Sequence, residues 1–129
     1  MNRYLLDTST VLIAQTDPAL LAPAVHEALL RGAKFLSVVS FWEVLLKSMK
    51  GSLNVGDPRA WWTEALDQLA AAPLALRPKH VAEVYTLPPI HRDPFDRVLI
   101  AQAIAEDLRF VTTDHQISRY ASARFRVVC

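Results

Sequence analysis

Apolar positions in this chain come as short runs alternating with longer stretches of helical spacing, the pattern of buried strands exchanging with helices. Arg3 to Leu6 is short, leans apolar and stops at Asp7, which predicts a buried first strand. Thr8 to Ala14 then has helix-compatible spacing after a hydroxyl-rich start. Asp17-Pro18 pairs a capping residue with a first-position proline and predicts a helix striped by Leu21, Val25, Ala28 and Leu29, closed by Gly32. Phe35 to Val39 is rich in β-formers and is the second predicted strand. Ser40 and Glu43 have the Ser-x-x-Glu spacing of a capping box, opening a helix that runs to about Lys50 before Gly51.

Further along, Ser52 to Asp57 is polar loop, and Asp57-Pro58 repeats the cap-and-proline opening of a helix through Trp61, Trp62, Leu66 and Leu69. Pro73 is expected to end it, with a third strand at Leu74 to Leu76 and another helix from Pro78 to Leu87. The next helix is the most informative. Asp93 stands at its N-cap, Pro94 at its first position and Asp96 in its first turn, while Val98 to Ala105 carries no charge and Gln102 as its sole amide. A helix apolar nearly all round goes into a core. Strands at Arg109 to Thr112 and Phe125 to Val128 complete the pattern. Alternation of this kind predicts an α/β fold, three-layered, with a mainly parallel sheet covered by helices on both faces; without repeats or a linker, residues 1–129 read as one domain.

Composition narrows the class without naming a function. Of 129 residues, 52% are hydrophobic and 21% charged, and the net charge is +1, so no polycationic signature of non-specific nucleic-acid binding is present. The single cysteine, Cys129, permits no internal disulfide, and no uncharged run reaches the ~18 residues of a membrane span. Asp7 interrupts the first apolar stretch before it makes a signal-peptide core, so a cytoplasmic protein is expected.

The chemistry lies in the placement of the acids. Asp7 and Asp114 follow strands; Glu43 and Asp96 fall in first turns of predicted helices. In a parallel sheet, strand carboxyl ends and the helix starts that follow them share one edge, so four carboxylates from distant segments are expected to meet. Each has an ordinary use alone: a turn for Asp7 and Asp114, a capping box for Glu43, a helix dipole for Asp96. Together they would repel and raise one another's pKa unless a cation stood between them. Hard carboxylate oxygens suit Mg²⁺ or Mn²⁺, and zinc-spaced His or Cys ligands are missing. Ser9 and Thr112 could orient a carboxylate or a water; His91 reads as a rim residue, and the tryptophans as core, with one of the adjacent pair near a surface.

Four segments, LLDTS, SFWEVLLK, HRDPFDRVLIAQA and VTTDHQI, stand in an order and spacing that resembles the PIN-domain family, and within it the VapC-type toxin ribonucleases of toxin–antitoxin pairs. By position, Asp7, Glu43, Asp96 and Asp114 match the family's acidic quartet, Ser9 and Thr112 its hydroxyls, and Asp93 an extra acid of the DPFDR subgroup, read here as the N-cap that aims Asp96 with support from Arg97. The resemblance implies strand order 3-2-1-4-5, a homodimer, and a VapB-type antitoxin whose tail covers the site. It also implies Mg²⁺- or Mn²⁺-dependent cleavage of RNA to a 5′-phosphate and a 3′-hydroxyl. Asp7, Asp96 and Asp114 are the expected metal ligands, direct or through water, and Glu43 the orienter of the attacking water. Around an acidic hole RNA needs positive charge, for which Lys47, Lys50, Arg92 and Arg97 are nearest in sequence, with Arg119 and Arg124 behind them. A haloacid-dehalogenase phosphatase would need an acid where Ser9 stands. A metal-dependent DNA nuclease and a catalytically silent interaction module are the alternatives left open.

Overall fold

The first strand, β1 (Arg3–Leu6), lies at the centre of a five-stranded sheet of order β3-β2-β1-β4-β5 in the computed structural model, which describes residues 2–89 and 93–129. Its neighbours β2 (Ala33–Ser37) and β4 (Arg109–Val111) both pair with it in parallel, as do β3 (Ala71–Leu74) with β2 and β5 (Val127–Val128) with β4. Alternate side chains of β1 therefore enter opposite cores. Tyr4 and Leu6 join Leu36, Val111 and residues of α1 (Thr8–Thr16), α2 (Pro23–Leu30) and α4 (Pro58–Gln68); Leu5 joins Phe110 and the buried stripe of α6 (Pro94–Glu106) on the other face. Helix α3 (Val38–Met49) contributes Val44 to the first core and Val39 to the second. The three layers and the 3-2-1-4-5 order follow the expectation. No described helix is long and apolar enough to cross a membrane.

Several boundaries differ from the sequence expectation, each for a local reason. Helix α3 starts at Val38, capped by the Ser37 hydroxyl accepting from the Val39 N–H at 3.0 Å, whereas Ser40 is buried inside the helix and its hydroxyl accepts from Thr8 at 2.8 Å. The capping box of Ser40 with Glu43 is thus not formed, and Glu43 is the sixth residue of α3 rather than a first-turn residue. Strand β2 correspondingly ends at Ser37 instead of Val39.

Asp17-Pro18 opens only a single 3₁₀ turn, Pro18–Leu20; Pro23 holds Ala22 extended (φ −63°, ψ 153°), and α2 begins afresh there. Pro73, expected to end a helix, lies within β3, an edge strand that tolerates its missing N–H. Helix α5 (Pro78–Val84) stops short of Leu87, and β5 is confined to two residues. Trp61 is core, but Trp42, expected there too, is 53% exposed and meets Phe95 edge-on. At the turn into β2, Gly32 has φ +89° and a Cβ there would lie 2.6 Å from the Asn2 carbonyl oxygen, so a side chain is excluded.

The single amide of α6 ties that helix to the start of α3 and to the chain after β3. Gln102 is wholly buried; its Oε1 accepts from the Ser37 hydroxyl at 2.6 Å, and its amide nitrogen donates to the Ala75 carbonyl at 3.4 Å. The same nitrogen faces His80 Nδ1 at 3.3 Å. His80, also fully buried, accepts the Arg77 N–H on Nδ1 at 3.0 Å and so carries its proton on Nε2, toward Glu106 at 3.0 Å. Gln102→Leu should therefore strip partners from several buried polar groups and cost about 2–4 kcal/mol in chemical denaturation. A loss under half a kilocalorie per mole would show that this network holds nothing together.

Candidate active site

The site forms where the chain changes direction in the sheet, between β1 and β4, the crevice in which open parallel sheets bind ligands. Asp7 is the first residue beyond β1. Its N–H continues the ladder to the Val111 carbonyl at 2.9 Å, and its carbonyl accepts the Val11 N–H at 3.2 Å, so its backbone is locked from both sides. It occupies the N-cap position of α1, yet its carboxylate does not cap the helix. Instead Oδ2 accepts the Thr112 hydroxyl at 2.7 Å and the Ser9 hydroxyl at 3.4 Å. Thr112, fully buried just past β4, also accepts the Asp114 N–H at 3.0 Å and thereby couples the two strand ends.

The other acids arrive on helices and a turn. Asp93 caps α6, accepting from the N–H groups of Phe95 at 2.9 Å and Asp96 at 3.4 Å, which sets the first turn from which Asp96 projects. Asp114 Oδ1 accepts the Gln116 N–H at 2.9 Å. Glu43 is only 4% exposed; its Oε2 bonds the Lys47 ammonium at 2.8 Å, while Oε1 is buried with no hydrogen-bond partner among the described residues. Asp7, Glu43, Asp93, Asp96 and Asp114 all line one cleft of about 340 Å³, together with Ser9 and Lys47.

Crowding and burial show in the titration of these groups. Burial lifts the Asp7 carboxyl to about 6 against the opposing hydrogen bond from Thr112, with Glu43 adding to the rise. Asp96 is pushed further, to about 8, first by burial and then by the charges of Asp7, Asp93, Glu43 and Asp114.

Thr8, Leu12 and Thr113 also line the cleft and were not singled out in the sequence. Thr113, whose hydroxyl lies 3.2 Å from that of Ser9, had a signal in its place between Thr112 and Asp114; Leu12 had only its helical spacing from Thr8. Of the basic residues expected around the site, Lys47 alone among the described residues lines the cleft. Lys50 is an exposed C-cap residue of α3 outside the cleft lining. Arg97 bonds the Pro88 carbonyl at 3.0 Å and the Tyr120 hydroxyl at 3.4 Å, bracing the segment before α6. Arg119 and Arg124 line a separate cavity with Tyr120 and Leu87, and Arg124 pairs with Glu83. Arg92 and His91 lie outside the described residues.

The donor set fits a hard divalent cation in chemistry: carboxylate and hydroxyl oxygens only, with one buried carboxylate oxygen left without a partner. Among the described residues no three acidic, His or Cys side chains stand close enough to form a closed ligand cage as placed. Magnesium does not need one, since it retains several waters and is commonly held by one or two carboxylates.

Comparison with known proteins agrees with this architecture. The sequence profile of the PIN domain matches residues 4–123, and the chain belongs to that family. Its fold is similar to that of a chain in the DNA-bound VapBC crystal structure from Salmonella typhimurium (TM-score 0.69, 15% identity, 100% of each chain covered). It is also similar to one in Rickettsia felis VapBC2 bound to a promoter DNA fragment (0.68, 14%, 98% of this chain and 99% of that one). VapBC-5 from Mycobacterium tuberculosis, described as a member of the VapBC toxin–antitoxin family, aligns at 0.63 with 20% identity over 99% and 98%. Comparison with curated protein sequences gives no match.

Proposed function

We propose that this chain is the toxin of a type II toxin–antitoxin pair and a Mg²⁺- or Mn²⁺-dependent endoribonuclease. The observation that carries the reading is the convergence of Asp7, Glu43, Asp96 and Asp114 on one cleft at the topological switch of a PIN fold. Asp7, Asp96 and Asp114 would hold the cation, directly or through water. Bound there, a divalent ion supplies Lewis-acid stabilisation of charge on the phosphate and makes water more acidic near neutral pH. Thr112 fixes the Asp7 carboxylate, Asp93 aims Asp96, and Glu43 orients the attacking water. That water's oxygen bonds to phosphorus and the P–O3′ bond breaks. The 3′ oxygen takes up a proton, leaving a 3′-hydroxyl and a 5′-phosphate.

The partners proposed are RNA, a VapB-type antitoxin and a second copy of the chain; the structural neighbours, which are VapBC complexes, support the antitoxin. The protein, purified from cells, should cleave single-stranded RNA with Mn²⁺ and stop on addition of EDTA, while a DNA strand of the same sequence survives. Equal cleavage of both strands would make it a general metal nuclease. Cleavage of neither, in a protein that still binds a co-expressed VapB-type antitoxin, would make it an interaction module.

A further inference from the structure

We propose that Lys47 is a built-in counter-cation of the acidic cleft, neutralising Glu43 there and opposing the entry of a divalent ion. This rests on the metal-dependent reading of the same site and adds what that reading does not contain: the occupant of the site when no ion is bound.

Glu43 and Lys47 lie four residues apart on α3, which puts them on one helical face. On an exposed helix such a pair is a minor stabiliser. This one is different in its burial. The Glu43 side chain is 6% exposed and that of Lys47 is 49% exposed, so the lysine reaches in from solvent to a carboxylate that has left it. The Nζ–Oε2 contact is 2.8 Å, and the other oxygen of that carboxylate bonds nothing among the described residues. Lys47 is also the one basic side chain among the described residues lining a cleft with five acids. A buried carboxylate stripped of its cation is strongly unfavourable, so the metal-free fold depends on this ammonium. The same positive charge opposes an arriving Mg²⁺ or Mn²⁺ and occupies an oxygen of Glu43. Lys47, expected from sequence to face the RNA backbone, donates its ammonium to Glu43.

Titration of Mn²⁺ into wild type, Lys47→Met and Lys47→Arg by calorimetry, with melting of each in EDTA, tests this without reference to cleavage. Removing one unit charge from the same cleft as a divalent ion, under water-like screening, tightens binding about tenfold. Lys47→Met should therefore bind Mn²⁺ about tenfold more tightly and melt lower in EDTA, so that Mn²⁺ raises its melting temperature further than it raises that of wild type. Lys47→Arg, which keeps the charge, should stay near wild type in both readouts. Wild-type binding with Lys47→Met equal or weaker overturns the inference and leaves the metal reading standing. A wild-type protein that binds no Mn²⁺ overturns both. Lys47→Gln, another neutral side chain, gives the same discrimination if Lys47→Met precipitates.

Discussion

Asp96→Asn should lose RNA cleavage by roughly 10²- to 10⁴-fold, the range set by several kcal/mol of Lewis-acid stabilisation, and yet melt higher than wild type in EDTA. The two effects come from one cause. Asp96 is held up to about 8 by burial and by four neighbouring carboxylates, so in the metal-free fold its charge is a burden that a bound cation would turn to use. Asparagine has nearly the same volume and leaves the Asp93 cap intact, because that cap takes the backbone N–H of residue 96. The gain in EDTA at pH 8 should be about 5 °C, and saturating Mn²⁺ should stabilise wild type more than the variant. An Asp96→Asn protein that melts several degrees below wild type in EDTA would mean that its carboxylate is a structural partner and not a strained one.

The second large effect is a pH dependence with a fixed sign. Asp7 and Asp96 titrate near 6 and 8 in the folded protein, above the range near 4 of unfolded carboxyls. Between about pH 4 and pH 8 the native state therefore holds more protons than the unfolded state, and stability from these two groups falls as pH rises. The loss is complete above the folded values; from Asp7 alone it is on the order of 3 kcal/mol. Other groups titrate too, so the clean measurement is a difference. In EDTA the melting gap between Asp7→Asn and wild type should open from pH 5 to pH 8.5, with the variant the more stable at the upper end. Divalent binding has the opposite trend, since the ion needs ionised carboxylates, so Mn²⁺ affinity should climb through pH 6–8 with proton release. A gap that closes with rising pH would refute the assignment of strained carboxyls to this cleft.

What the sequence made legible follows from how locally each feature is determined. Asp93-Pro94 with Asp96 behind it forms its cap as expected, because N-cap acceptor and first-position proline act within three residues. Asp7 was placeable because strand β1 is central, buried on both faces and ended by that acid. Glu43 reached the cleft by a different route from the one expected. Both Ser37 and Ser40 are competent caps, and the choice between them is made by Gln102, distant in sequence, which binds Ser37, and by Thr8, which binds Ser40. Tertiary contacts of that kind leave no local signature. Pro73 was misplaced for a similar reason: whether a proline ends a helix or sits in a strand depends on whether that strand is an edge.

The basic residues were the least legible part. Long charged side chains have no periodicity that fixes their partners, and Arg124 pairs with Glu83 on α5 while Arg97 braces the chain near Pro88. The Glu-x-x-x-Lys spacing of Glu43 and Lys47 did carry the signal of the ion pair they form.

The most direct measurement is an anomalous difference map from crystals soaked in Mn²⁺. A single cleft shared by Asp7, Asp96 and Asp114 predicts a manganese peak there, within direct or one-water reach of those carboxylates and with Glu43 beside it. No peak in that cleft at saturating Mn²⁺, or one only on another surface, would contradict the account.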